Sequence, residues 1–170
     1  YVGCEFLDCT TPQYFSDLVV WGAIGARTVE SQVHRQLASG LSMPIGFKNG
    51  TGGSIDIAAD AVVSAQYPHT FLGISSTGEG SVISTTGNDK CHIILRGGKD
   101  KTNYDSESVK DAGNILDKKG LVKNIIIDCS HGNSRKNHKN QILVTHNIAE
   151  QILNGDQNII GVMIESHINE

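Results

Sequence analysis

The sequence predicts an α/β protein built as a (β/α)8 barrel, with about six of the eight strand-helix units present. Three observations predict it. Short apolar, β-branched runs alternate with longer amphipathic stretches, the pattern of repeated strand-helix units on a parallel sheet. Each apolar run ends, on or next to its last turn, in a charged or chemically versatile residue: Glu5, Arg27, Lys48, Arg96, His131 and Glu165. Such groups at the carboxyl ends of strands mark the ligand-binding face of a barrel. An open doubly wound sheet also binds ligands at strand ends, but no strand here runs into a Gly-rich dinucleotide turn.

In chain order, strands are expected at YVGCEFL (1–7), AIGAR (23–27), PIGFK (44–48), HIILR (92–96), NIIID (124–128) and IIGVMIE (159–165). Helical periodicity covers 12–20, 30–39, 54–66, 105–119 and 137–153. Gly40, Gly120 and Gly155 follow three of these stretches, where glycine takes the left-handed conformation that stops a helix. The interval from Lys48 to Arg96 is too long for one helix. Its FLGIS and GSVISTT runs, split by a Gly-containing turn, predict an inserted β-hairpin. No linker or compositional break marks a second domain, so residues 1–170 form a single partial barrel domain, third to eighth strand. A closed barrel takes about 250 residues, and the chain opens on Tyr1 rather than methionine. Two strands before Tyr1 and a last helix after Glu170 are therefore expected to lie outside it.

Composition narrows the function. With 38% hydrophobic and 19% charged residues, the chain is ordinary for a globular domain able to bury a core. A net charge of -4 and only 5% aromatic residues argue against a nucleic-acid partner, which calls for a basic stripe with interleaved aromatics. No apolar run approaches the roughly 20 residues that cross a bilayer, and no secretory leader is visible, so a cytoplasmic protein without a membrane partner is expected. Cys4, Cys9, Cys91 and Cys129 lack zinc-site spacing and are expected to be free thiols.

Arg27, Lys48 and Arg96 would converge on one opening suited to a small, highly anionic substrate such as a phosphorylated carboxylate. Arginine grips such groups with a planar fork, and lysine adds a compact charge. The competing reading for each is a solvated surface charge. Arg27 and Thr28 also lead into a helix beginning near Glu30, whose free N–H groups favour an anion. His131 and Glu165 are metal-ligand candidates, imidazole and carboxylate suiting a divalent transition ion; a structural histidine is the alternative. Cys129, two residues from His131, would share its side of a strand, as a thiolate ligand or a small filler of the barrel interior. The other histidines, His34, His69, His92, His138, His146 and His167, are expected in surface or capping roles.

These segments resemble the microbial and fungal class I DAHP (3-deoxy-D-arabino-heptulosonate-7-phosphate) synthases. The similarity runs nearly end to end: EFLD then TPQY, WGAIGART-ESQ-HR-LASGLS, P-GFKNGT, CHIILRGGK, ID-SHGNS and GVMIESH. The resemblance implies condensation of phosphoenolpyruvate with erythrose 4-phosphate, giving DAHP and phosphate at the first step of the shikimate pathway. It implies that Arg27, Lys48 and Arg96, with the backbone of Ala26, bind phosphoenolpyruvate, and that Glu5 acts near its pyruvyl part through Lys48 or water. His131 and Glu165 look like two of four ligands to a divalent metal (Mn, Fe, Co or Zn). The other two, a cysteine and an aspartate, would lie outside the chain, so the piece alone is expected to be inactive. Gln13, Ser42 and Gly73 match the lining of a pocket for a feedback-inhibiting aromatic amino acid. Glycine at 73, where phenylalanine-sensitive forms tend to have serine, favours tyrosine. A homo-oligomer is also implied. Gly52 and the ISSTG run at 74–78 depart from the family pattern, which commonly has aspartate and a lysine-containing run there. Two other readings compete: a non-catalytic effector-binding piece, and a phosphoenolpyruvate-condensing synthase making an eight-carbon sugar acid.

Overall fold

The computed structural model describes residues 1–169. Its elements run β1 (Gly3–Glu5), two short 3-10 turns (Thr11–Tyr14 and Ser16–Leu18), β2 (Trp21–Ile24), α1 (Gln32–Gly40), β3 (Ile45–Lys48) and α2 (Asp56–Ala65). Next come β4 (Thr70–Ile74), β5 (Gly80–Ser84), β6 (His92–Leu95), α3 (Ser106–Lys118), β7 (Ile125–Asp128), a 3-10 turn (His138–Asn140), α4 (Gln141–Leu153) and β8 (Ile159–Met163). Six strands form one curled sheet in the order β1-β2-β3-β6-β7-β8, every neighbouring pair parallel. This is the wall of a partial (β/α)8 barrel, as expected. The hairpin between Lys48 and Arg96 is also there: β4 and β5 pair antiparallel as a sheet of their own.

Side-chain alternation assigns the two faces of the wall. Ile45, Phe47, Ile93, Leu95, Ile125 and Ile127 point outward into one buried cluster with Ala58 and Val62 of α2, Val109 and Leu116 of α3, and Val144 and Ile148 of α4. The intervening residues, Gly46 and Lys48 on β3 and His92 and Ile94 on β6, therefore point to the concave side. At the carboxyl end of α1, one amide gathers three carbonyls: Asn88 Nδ2 reaches the oxygens of Ala38, Leu41 and Met43 at 2.9–3.2 Å. The side chain of Asp105 caps α3 by accepting from the Ser108 N–H at 3.0 Å.

Three sequence expectations change. The helix expected over 12–20 is a pair of 3-10 turns: Pro12 is the second residue of the first, and Phe15, at φ −143°, breaks the helical path between them. Strand ladders stop earlier than the apolar runs, at Ile24, Leu95 and Met163, so Arg27, Arg96 and Glu165 sit on loops beyond them. The helix expected from about Glu30 begins at Gln32, after turns through 26–30, so Ala26 and Arg27 lie on a turn further ahead of it than expected. Among the described residues no helix is long and apolar enough to cross a membrane.

Candidate active site

Because all six strands are parallel, their carboxyl ends share one edge, and the loops leaving that edge are locked together by buried amides. Asn49, next after β3, accepts the Arg96 backbone N–H on Oδ1 at 2.8 Å and the Asn103 Nδ2 at 3.1 Å. Asn103 accepts the Gly97 N–H at 2.7 Å and donates its own backbone N–H to Asn133 Oδ1 at 2.9 Å. Asn133 Nδ2 donates to the carbonyls of Leu95 and Asp128, at 3.1 and 2.9 Å. The three asparagines are at most 7% exposed, so their amides are satisfied by one another and by strand ends rather than by solvent. Glycine makes this interlock feasible: Gly97 has φ +76°, and a Cβ there would fall 2.6 Å from the Asn133 nitrogen.

On that floor stands a line of charged groups. Lys48, the last residue of β3 and 6% exposed, places Nζ 3.1 Å from Asp128 Oδ2. Asp128 is the last residue of β7, and its carboxylate reaches Lys48 across the intervening β6. The same Oδ2 lies 2.8 Å from His131 Nδ1, off the line of a straight hydrogen bond. The Asp128 carboxylate is acceptor-only when ionised, so a neutral His131 keeps its proton on Nδ1 and leaves Nε2 as a lone pair. That Nε2 faces Glu165 Oε1 at 3.5 Å. The other oxygen of Glu165 accepts from Ser130 Oγ at 2.8 Å, and its backbone is clamped on both sides by the Gln141 amide, each bond 2.9 Å. Burial pushes the Asp128 carboxyl up, but the His131 contact and the Lys48 charge outweigh it and hold it below the ordinary carboxylate range.

The sequence reading missed Asp128. Its signal was available, an aspartate closing the third isoleucine of β7, but its importance rests on contacts with residues 80 positions upstream and three downstream. His131 reaches back to it through a left-handed backbone, φ +51°, and the same loop puts Arg135 and Lys136 at φ +52° and +58°. Non-glycine residues in that region are uncommon, and such strain clusters at functional sites. Because the chain leaves the strand after Asp128, Cys129 does not share the side of His131: its Sγ lies 3.7 Å from Thr145 Oγ1 of α4. Cys129 fills the space between sheet and helix, and burial pushes its thiol up.

The remaining site residues divide. Arg96 is half-buried beside the line, and Arg27 is exposed on the turn after β2; neither has a carboxylate partner among the described residues. Ala26 shares the Arg27 turn, whose Thr28 N–H closes onto the Gly25 carbonyl at 3.1 Å. Glu5, expected to work through Lys48 or water, rests over Gly25, where a Cβ would meet its Oε1. Two openings flank the line: one of about 730 Å3 bounded by His131, Gln141 and Glu165, the other of about 650 Å3 bounded by Arg96, Lys99, Lys101 and Arg135. Lys136 borders both. His131 and Glu165 supply a nitrogen and an oxygen from adjacent loops to one point, a donor pair suited to a divalent ion. Among the described residues no group of three or more His, Cys, Asp or Glu side chains forms a fuller cage.

A third cleft, of about 390 Å3, lies away from this edge between the first 3-10 turn, α1 and the hairpin, with Gln13, Leu37, Phe71 and Gly73 on its walls. Ser42 is not among them; it borders a smaller cleft of about 220 Å3 that shares Gly40 and Leu41 with it. Of the histidines assigned to surface or capping roles, two are buried. His34 bonds Ser31 Oγ and the Leu7 carbonyl, and His92 pairs with Trp21.

Comparison with known proteins places the chain. A tyrosine-inhibited phospho-2-dehydro-3-deoxyheptonate aldolase of Schizosaccharomyces pombe is 57% identical over 166 residues, 98% of this chain and 45% of that protein. The Phe-sensitive aldolase of the same name from Escherichia coli is 54% identical over 166 residues, 98% of this chain and 47% of that one. The solved structure of phospho-2-dehydro-3-deoxyheptonate aldolase from Francisella tularensis superposes with a TM-score of 0.93 at 51% identity, covering 99% of this chain and 51% of that one. The chain thus spans about half the length of the relatives it matches. The profile of the DAHP synthetase I family matches residues 1–170, end to end, and the chain belongs to that family.

Proposed function

We propose that the full-length protein is a DAHP synthase, joining phosphoenolpyruvate to erythrose 4-phosphate with water to give DAHP and inorganic phosphate. The observation that carries this reading is that one buried carboxylate, Asp128, holds Lys48 on one side and His131 on the other at the shared strand edge. It sets an anion-binding ammonium beside a metal-type ligand pair, which is what a reaction between a phosphorylated enol and an aldehyde requires. The names of the relatives support it.

In this reading Arg27, Lys48 and Arg96, with the Ala26 backbone, grip the phosphate and carboxylate of phosphoenolpyruvate and fix the face of its C3 carbon. Positioning and electrostatics supply most of the rate. Lys48, nearly buried beside the Asp128 charge, donates to the substrate anion as charge shifts. The new bond joins C3 to the aldehyde carbon; water adds at C2, and phosphate leaves by cleavage of its bond to that carbon. Glu5, on β1, holds its carboxylate over Gly25 beside the Arg27 turn and orders water there. His131 and Glu165 would hold a divalent ion (Mn, Fe, Co or Zn), which would supply Lewis-acid polarisation of the aldehyde.

Assay of the full-length protein with phosphoenolpyruvate, a divalent ion and either erythrose 4-phosphate or arabinose 5-phosphate tests the reading. DAHP formation with preference for the tetrose phosphate is expected; preference for the pentose phosphate would make the protein an eight-carbon sugar-acid synthase. We further propose that the cleft bearing Gln13 and Gly73, with Ser42 beside it, takes an aromatic amino acid as feedback inhibitor, tyrosine before phenylalanine. Inhibition by phenylalanine alone would reverse that preference.

A further inference from the structure

We infer that Asp128 is a positioning residue that couples the two halves of the site, so that an anion arriving at Lys48 strengthens metal binding at His131. This rests on the functional reading just given. The Asp128 carboxylate is anchored: Oδ1 accepts the Ser130 N–H at 2.9 Å, and the residue's own carbonyl accepts Asn133 Nδ2. Only Oδ2 remains for side-chain partners, and it serves two, Lys48 Nζ at 3.1 Å and His131 Nδ1 at 2.8 Å. At 1% exposure the carboxylate cannot reach a substrate, so it acts through the groups it holds.

One oxygen shared by two donors makes them competitors. An anionic substrate draws the Lys48 ammonium toward itself, and the Asp128 oxygen is then left to His131. A carboxylate held more fully on the far nitrogen of an imidazole fixes its tautomer and raises its basicity toward a metal at the near one. The His131–Asp128 contact, short but poorly aligned, has room to improve when this happens. Coupling of this kind is reciprocal, so a bound metal also tightens anion binding. A purely structural ion pair would complete itself within the core, whereas both partners of Asp128 stand at the ligand edge.

The test is titration of the full-length protein with manganese(II), with and without saturating phosphoenolpyruvate, for wild type and Asp128→Asn. Asparagine preserves shape and removes the charge. Wild type is expected to bind manganese more tightly with phosphoenolpyruvate present. In D128N the affinity for manganese alone should fall about 10–100-fold, and the gain from phosphoenolpyruvate should vanish while the melting curve remains cooperative. A D128N protein that keeps the gain overturns the inference. Should D128N fail to fold, nitrogen NMR of 15N-histidine-labelled wild type decides, with His131→Gln to assign the resonance: a proton on Nδ1 is expected, and a proton on Nε2 overturns the inference. Wild type that binds neither manganese nor phosphoenolpyruvate defeats the functional reading and this inference with it; wild type that binds both without mutual effect defeats this inference alone.

Discussion

The two ends of the sheet use one spatial device for opposite purposes. At the amino end, Trp21 on β2 reaches over β3 to His92 on β6, the indole N–H donating to Nε2 at 3.1 Å. At the carboxyl end, Lys48 on β3 reaches over β6 to Asp128 on β7. Both pairs skip one strand on the concave side. The amino-end pair is neutral and closed: an indole can only donate, so His92 keeps its proton on Nδ1, which faces the Lys90 carbonyl at 3.2 Å, and both ring nitrogens are satisfied. The carboxyl-end line is charged and open, finishing on a His131 nitrogen and a Glu165 carboxylate that face a cavity. Bridging a strand thus closes the polar groups on one another at the amino end, and leaves them facing a cavity at the carboxyl end.

Breaking the charged bridge is expected to have the largest effect. Lys48→Met in the full-length protein removes a donor at the reacting anion and should lower kcat/KM by about 10^2–10^3. It also leaves Asp128 buried without its cation, at a cost of about 3 kcal/mol in denaturant unfolding. Unaltered turnover would remove Lys48 from the chemistry. The glycines beneath the two bridges sharpen the contrast next. Gly97→Ala forces a left-handed alanine against the Asn133 backbone and should cost about 2–4 kcal/mol. Gly46→Ala meets only side chains, Ile94 at Cδ1 and Cγ1 and His92 at Nε2, which can shift, and should cost about 1 kcal/mol. Equal losses in parallel unfolding curves would contradict a main-chain floor at one end only. Trp21→Phe should cost about 1–3 kcal/mol by stranding His92 Nε2, with turnover unchanged.

A pH series probes the neutral bridge more gently. Burial pushes His92 below its ordinary value, against the smaller opposing pull of the Lys90 carbonyl. Above about pH 6.5 the ring is neutral in folded and unfolded chains alike. As pH falls below that, the unfolded chain takes up a proton the folded one refuses, so stability drops by at most about 1.4 kcal/mol per pH unit until the folded value is reached. Melting temperatures at pH 7.5, 6.5 and 5.5 should show this fall, and His92→Gln should flatten it. The smallest expected signal is chemical. Burial, with a lesser contribution from Asp89, pushes the Cys91 thiol up to about 12, and burial also raises Cys129. Burial, and then Asp8, also raise the half-buried Cys9, so a thiol reagent should label half-buried Cys4 before Cys9, and both before Cys91 and Cys129, in the native protein; early labelling of Cys91 would mean that the amino end opens.

Much of this architecture was legible from apolar runs and helix-stopping glycines, because strand and helix periodicities are local. The strand-end rule also located Lys48, Arg96, His131 and Glu165 on the correct edge. What local pattern could not supply was pairing across a skipped strand. Asp128 reads as one more strand terminus until Lys48 is seen beside it, and Asn49, Asn103 and Asn133 read as loop residues until their amides meet. The early ends of β2, β6 and β8 have the same origin: residues that look like strand in sequence leave the ladder for the loops of the carboxyl edge.

Gly97, Gly98, Gly132 and Gly53 nest backbone against backbone, with Cβ positions on three of them 2.5–3.1 Å from another loop's main chain and that on Gly53 at 3.4 Å. The floor of the site is thereby dimensioned by peptide groups, whose size does not vary from one sequence to another. Every nucleotide change that replaces a glycine adds a side chain, so this floor can only be kept or lost, never tuned. Variation in what the site accepts must then accumulate in the side chains standing on it, each free to drift while the surface beneath holds its measure.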